Sequence, residues 1–261
     1  MAKTLYAARR KTPFWFGRDD PVRIDVLGVC FDDVTLEEAA QRGEAMVRDG
    51  GFHYAVTPNP EFILEARRNE PFRQALLEAD LVLPDGVGVT YAAKILGRPL
   101  KGRAPGIDFA QQMLDWMGRE GKRLYLLGAK PGVAELAAAN LKSRYPGLIV
   151  CGTHDGYFQE DGPVVEDIRA HAADVAFVCL GAPKQELWMA RRGPECGVKL
   201  MIGLGGALDV FAGLVERAPE GFQKLGLEWF YRLVREPSRI GRMSKLPLVL
   251  WHAAGARIKG M

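Results

Sequence analysis

The sequence predicts an α/β protein in which a parallel sheet is covered by helices on both faces. Strand-length apolar runs alternate with helix-length segments along the chain, the pattern of parallel strands joined by crossover helices. Several runs, such as Val175–Leu180, are wholly apolar rather than alternating, as expected of strands buried on both sides. Three runs end in glycine-bearing turns that lead into helices. In such sheets ligands bind beyond the carboxyl ends of the strands.

Residues 1–20 form a lead-in without a clear period. Val22–Phe31 alternates apolar and polar and reads as a strand. Thr35–Arg48 reads as a helix, because Thr35 and Glu38 have the spacing of a capping box. Phe52–Val56 is a short buried strand, broken by the two prolines of Thr57-Pro-Asn-Pro60. A helix starts at Glu61, and Pro71 restarts one that runs to Ala79. Leu81–Leu83 is a strand stub closed by Pro84-Asp-Gly86. Helices over Val87–Leu96 and Ile107–Met117 flank a loop, Arg98–Pro105. The second half is more regular. Strands at Arg123–Leu127, Leu148–Cys151, Val175–Leu180 and Val198–Ile202 are separated by helices at Val133–Arg144, Pro163–His171 and Pro183–Arg191. Phe222–Met261 is helical in composition, with Pro237 and Pro247 dividing it into three pieces.

With 261 residues, 48% of them hydrophobic and 26% charged, the chain can bury a substantial core and is not disordered. Its net charge of +3 speaks against a dedicated nucleic-acid binder. The charge is unevenly placed. From Arg217 onward there are nine basic and three acidic residues, a net +6, which leaves −3 for residues 1–216. A basic tail on a mildly acidic body suits an anionic surface or a phosphate, and it also suits a solvated helical face or a homo-oligomer interface. Cys30, Cys151, Cys179 and Cys196 are far apart with no CxxC spacing, which points to a reduced, cytoplasmic chain. No secretory leader and no apolar run long enough to span a bilayer is read. None of the four histidines has a partner at metal-ligand spacing, so neither a metal site nor a cofactor is expected.

Two groups of residues carry chemistry. In the first, Gly128-Ala-Lys-Pro-Gly132, Gly181-Ala-Pro-Lys-Gln-Glu186 and Gly203-Leu-Gly-Gly-Ala-Leu-Asp209 each join a strand to a helix. Glycine lets backbone approach a phosphate, and a helix N-terminus supplies N–H donors and positive potential. No GxGxxG and no P-loop is present, which weakens dinucleotide and triphosphate readings. The three turns together favour a nucleotide, with Gly128, Gly181 and Gly205 at the backbone and Lys184 and Gln185 near a strand end. Asp209 suits hydrogen bonds from a base or ribose. Tyr157 either stacks on a base or packs in the core. The second group is Thr57, Asn59, Asp85 and Arg103. Asp85 either caps the helix that follows or accepts a proton from an attacking hydroxyl. Arg103, in a stiff loop, can aim its guanidinium at a diphosphate.

Six motifs occur in a fixed order: Thr57-Pro-Asn-Pro-Glu61, Leu83-Pro-Asp-Gly-Val-Gly88, Gly97-Arg-Pro-Leu with Arg103-Ala-Pro-Gly-Ile-Asp108, His154-Asp-Gly-Tyr-Phe158, Gly181-Ala-Pro-Lys-Gln-Glu186 and Gly203-Leu-Gly-Gly-Ala207. In these the chain resembles the WecG/TagA/CpsF glycosyltransferases over about residues 22–250. One small departure is Ala104, where Val is expected. The resemblance implies a Rossmann-like sheet, an N-terminal α/β subdomain and a C-terminal helical appendage. The corresponding division is 21–120 for acceptor and catalysis, 121–216 for nucleotide, and 217–261 as a basic, membrane-associating appendage. It implies an inverting, metal-independent transferase that moves a sugar from a UDP-sugar to an undecaprenyl-diphosphate-linked saccharide. Such an enzyme works peripherally on the inner face of the cell membrane, against anionic inner-leaflet lipid. The sugar is of the N-acetylmannosamine type, or glucuronate or glucose. By the same resemblance Asp85 is the base, with Thr57 and Asn59 beside it, and Arg103 stabilises the diphosphate. Tyr157, Gln185 and Asp209 contact UDP, and Arg232, Arg239 and Arg242 meet the lipid-linked diphosphate. The readings from other classes are a non-catalytic UDP-sugar-binding regulatory protein, a dehydrogenase and a peripheral nucleic-acid binder.

Overall fold

In a computed structural model, residues 22–219, 221–222, 228, 230–231 and 245–258 are described. The architecture is the expected one. A parallel sheet of β3 (His53–Val56), β4 (Leu81–Val82), β5 (Arg123–Gly128), β6 (Ile149–His154), β7 (Val175–Cys179) and β8 (Leu200–Gly203) has the spatial order β4-β3-β8-β7-β5-β6. β3 pairs directly with β8, so residues from the first and second halves of the chain share one continuous sheet.

Side-chain alternation divides the core into two layers. Leu124, Leu126 and Phe177 face α1 (Leu36–Asp49), α5 (Gly106–Glu120), α6 (Val133–Arg144) and α9 (Ala207–Phe211). Tyr125, Leu127 and Val178 face the other way. There they meet side chains of α2 (Pro60–Ala66), α3 (Glu70–Leu77), α4 (Val87–Ile95), α7 (Asp161–Ala170), α8 (Lys184–Arg192) and α10 (Lys245–Ile258). Both layers are large, which accounts for strands that read as unbroken apolar runs. α1 starts with the expected capping box: Thr35 Oγ1 accepts from Glu38 N at 3.1 Å and Glu38 Oε2 from Thr35 N at 2.8 Å.

Three elements differ from the sequence reading. The single strand expected over Val22–Phe31 is a hairpin outside the main sheet, with β1 (Arg23–Val26) antiparallel to β2 (Val29–Asp32). Leu27 and Gly28 both have positive φ, 57° and 94°, which is the two-residue turn whose twist suits a hairpin. Asp32, sealed from solvent, fixes it to β4: Oδ2 accepts from Val82 N at 2.7 Å, and Arg23 and Arg42 flank Oδ1 at 3.4 and 3.1 Å. β6 continues to His154, three residues past the Cys151 end expected. As an edge strand it needs one partner only, and β5 supplies it through Tyr125↔Gly152 and Leu127↔His154. Pro247 does not divide the tail where expected. The described part of α10 runs through it, from Lys245 to Ile258. α10 packs on α4 and α2, and Lys245 forms an ion pair with Glu61.

Candidate active site

Each of the six motifs, apart from the Arg103 loop, follows a strand of one parallel sheet, so all reach the same carboxyl-terminal edge. Across that edge they come in spatial order: Asp85 after β4, Thr57 and Asn59 after β3, Gly205 and Asp209 after β8, Gly181 to Gln185 after β7, Gly128 at the end of β5, and Tyr157 after β6. At an inter-strand spacing of ~4.8 Å the row spans about 24 Å. Thr57 and Asp209, 152 positions apart in sequence, thereby lie along one sheet edge.

At one end of the row, backbone hydrogen bonds tie the turns together. Asp85 N donates to Pro58 O at 3.1 Å, and Ala104 N to Pro84 O at 3.0 Å. The Pro-Asp-Gly turn is thus held between the Thr57 turn and the Arg103 loop. The cap position of α4 is occupied by Gly86, and half-buried Asp85 stands one residue before it. Thr57 is buried, and its hydroxyl donates to Gly203 O at 2.9 Å, bracing the ends of β3 and β8. A Cβ on Gly106 would come within 2.9 Å of Thr57 Cγ2, so α5 begins directly against this threonine. Asn59 caps α2, with Oδ1 accepting from Glu61 N at 2.8 Å and Phe62 N at 3.4 Å. Its carbonyl end is therefore committed to the helix. Arg103 Nη1 lies 4.0 Å from Glu228 Oε2. Glu228 also meets Arg217 Nε at 3.4 Å, and Arg217 reaches Asp108 Oδ1 at 2.6 Å. A carboxylate from the C-terminal segment thus stands between two arginines at this end of the row.

The other end is made of glycine turns and α8. The glycines differ. Gly181 and Gly205 have φ of 76° and 55° with open space where a side chain would project. At Gly128 a Cβ would strike Cys179 O at 2.3 Å, so this glycine lets β5 and β7 approach each other. Lys184 turns its ammonium to Gly156 O at 3.0 Å and over the Phe158 ring at 4.5 Å. It braces the loop that carries Tyr157. Tyr157 itself is 66% exposed, which removes the core-packing alternative. Gln185 is buried, and its Oε1 accepts from Gly205 N at 3.0 Å. Asp209 is half-buried in the first turn of α9, within reach of Gly206. Arg232, Arg239 and Arg242 lie outside the described residues.

The sequence reading passed over Glu186. It lies fully buried beside Gln185, and burial raises its carboxyl to about 7, although the hydrogen bond from Gln185 pulls the other way. A signal was available, since positions 186, 189 and 190 fall on one helical face and Met189 is core. Glu228 was counted only as charge. Among the described residues no group of three or more His, Cys, Asp or Glu gathers as metal ligands would, and no helix is long and apolar enough to cross a membrane.

The family model described as the glycosyl transferase WecG/TagA/CpsF family matches residues 24–261. The chain is also similar to an N-acetylglucosaminyldiphosphoundecaprenol N-acetyl-beta-D-mannosaminyltransferase of Staphylococcus aureus strain MRSA252. The two are 35% identical over 245 residues, covering 93% of this chain and 96% of that protein. The protein of the same description from strain MW2 is 34% identical over the same shares.

Proposed function

The chain belongs to the WecG/TagA/CpsF family of glycosyltransferases, and from that premise we propose that it adds one sugar, taken from a UDP-sugar, to a saccharide carried on undecaprenyl diphosphate in cell-surface polysaccharide synthesis. The relatives' description, an N-acetylmannosaminyl transfer to an N-acetylglucosaminyl-diphosphoundecaprenol, makes the N-acetylmannosamine type the first donor to test. What supports the reading is that a carboxylate, an arginine loop and open glycine turns come together along one sheet edge.

In this reaction Asp85 takes the proton of the acceptor's 4-hydroxyl. The freed oxygen attacks the anomeric carbon from the face opposite UDP, which inverts that centre. UDP lies along the Gly181 and Gly205 turns, with Tyr157 against the base and Asp209 and Gln185 nearby. Charge grows on the departing diphosphate, and Arg103 takes it up in place of a divalent ion, with the Arg232, Arg239 and Arg242 side chains of the tail meeting the lipid-linked diphosphate. A preorganised donor of this kind contributes roughly 3 kcal/mol, about a hundredfold in rate. Glu228, now beside Arg103, is the group a phosphate would displace. The 217–261 appendage holds the enzyme on the inner face of the membrane. Its helix α10 presents Leu248, Trp251 and Ile258 to solvent, the last next to Arg257, a mixture suited to anionic lipid.

The test is transfer from a panel of UDP-sugars to a short polyprenyl-diphosphate N-acetylglucosamine acceptor, followed by mass spectrometry in EDTA. Transfer is expected from one donor and lost in Asp85→Asn, which still binds UDP. Full turnover in Asp85→Asn removes the base assignment. Turnover that dies in EDTA and returns with magnesium removes the metal-independent route.

A further inference from the structure

Gln185 and Glu186 are neighbours in the first turn of α8, 1% and 0% exposed. A buried primary amide has two ways round of nearly equal size, so packing does not choose between them and hydrogen-bond partners must. The Gln185 carbonyl Oε1 accepts from Gly205 N at 3.0 Å, and Nε2 donates to Glu186 Oε1 at 2.6 Å. Flipping the amide would set its NH2 against the Gly205 N–H and its carbonyl against the Glu186 oxygen. Gly205 belongs to the turn after β8, whose Gly203 carbonyl is already held by Thr57. Glu186 is thus the inner member of a chain running from the core, through Gln185, to the open Gly205 turn at the sheet edge.

The same carboxyl is a poor choice for stability. Its second oxygen, Oε2, is buried with no hydrogen-bond partner, and a half-satisfied buried carboxyl destabilises a fold that an apolar side chain of equal length would not. From this geometry we infer that Glu186 is a positioning residue for the donor nucleotide: it holds the Gln185 amide in one orientation, and that amide holds the Gly203-Leu-Gly-Gly206 turn in the shape that receives UDP. Glu186 touches no ligand and acts only through Gln185. The inference rests on the reading of this edge as the UDP site.

The test is calorimetric titration of UDP into the full chain and into E186M, E186Q, Q185L and the Q185L/E186M double variant, with thermal melts of each. E186M is expected to melt at or above the parent and to bind UDP about tenfold more weakly, the scale of a misdirected buried hydrogen bond. E186Q keeps an acceptor for Gln185 and recovers most of the loss. In the Q185L background the step to E186M changes nothing further. Parent-like UDP binding by E186M overturns the inference, as does an equal loss with or without Gln185. A fall in melting temperature that tracks the loss of binding also overturns it. A reading from the unaltered chain is independent of how the variants fold. The Gln185 side-chain NH2 pair, assigned by its disappearance in Q185L, should exchange slowly with solvent, and fast exchange overturns the lock. Failure of UDP to bind the unaltered chain would overturn the functional reading and this inference with it. UDP binding that ignores Glu186 overturns the inference alone.

Discussion

The titration of Glu186 should be visible in the stability of the whole protein. Burial raises its carboxyl from the ordinary 4.5 to about 7 in the folded chain. An acid whose folded pKa lies above its unfolded value binds its proton more tightly when folded. That contribution to stability is complete below about pH 4.5 and is lost as pH rises through 7. At about 1.4 kcal/mol per pH unit of separation, the loss between pH 5 and pH 8 is about 2.5 kcal/mol. With a urea m-value of ~2 kcal/mol/M, the midpoint falls by about 1 M. His53 adds to the same trend. Burial lowers its imidazole, but the Asp80 and Asp49 carboxylates at 3.3 and 3.0 Å outweigh that and raise it, so its contribution also fades as pH climbs. Subtracting the E186M profile removes the histidine's share. The assay is urea unfolding of parent and E186M at four pH values from 5 to 8. The stability gap should shift by about 2.5 kcal/mol in favour of E186M over that range. Parallel profiles would mean that Glu186 does not titrate there and that its buried environment has been misread.

Three other outcomes follow from the geometry. Gly128→Ala places a methyl 2.3 Å from Cys179 O at a φ of 129°, and should destabilise by ~3 kcal/mol or more, whereas Gly181→Ala meets open space and should lose only ~1–2 kcal/mol for its positive φ; equal urea midpoints would refute the distinction. Tyr157→Ala, at a side chain 66% exposed, should leave stability within ~0.5 kcal/mol and weaken UDP binding about tenfold, with Tyr157→Phe retaining it; unchanged calorimetric affinity would remove the stacking role. Trp251→Ser, at a side chain 71% exposed on α10, should lower the fraction of the full chain that sediments with anionic vesicles, and equal sedimentation would move the membrane contact elsewhere.

Much of this was legible in residue order alone. A wholly apolar run such as Val175–Leu180 has few homes other than a strand covered on both faces. The Thr35–Glu38 spacing announces a helix start because two orphan N–H groups are satisfied locally. The glycine turns, Asp85 and Arg103 could be singled out from the sequence, although glycine is ordinary in a strand-to-helix turn and an aspartate there can equally cap a helix. Other features were not legible. The Leu27-Gly28 turn is hidden inside an alternating run, since the same alternation suits one strand or two paired ones. Asn59 and Lys184 look like ligands in a list of residues, and only their partners reveal a helix cap and a loop brace.

Local spacing determined the elements and the inventory of reactive side chains, because propensity, capping and periodicity act over a few residues. The three-dimensional structure decided which of those side chains meet. Strand order brings Thr57 onto Gly203, 146 residues away, and seals Glu186 behind Gln185. Burial and hydrogen-bond pairing are properties of that packing, and no short stretch of sequence contains them.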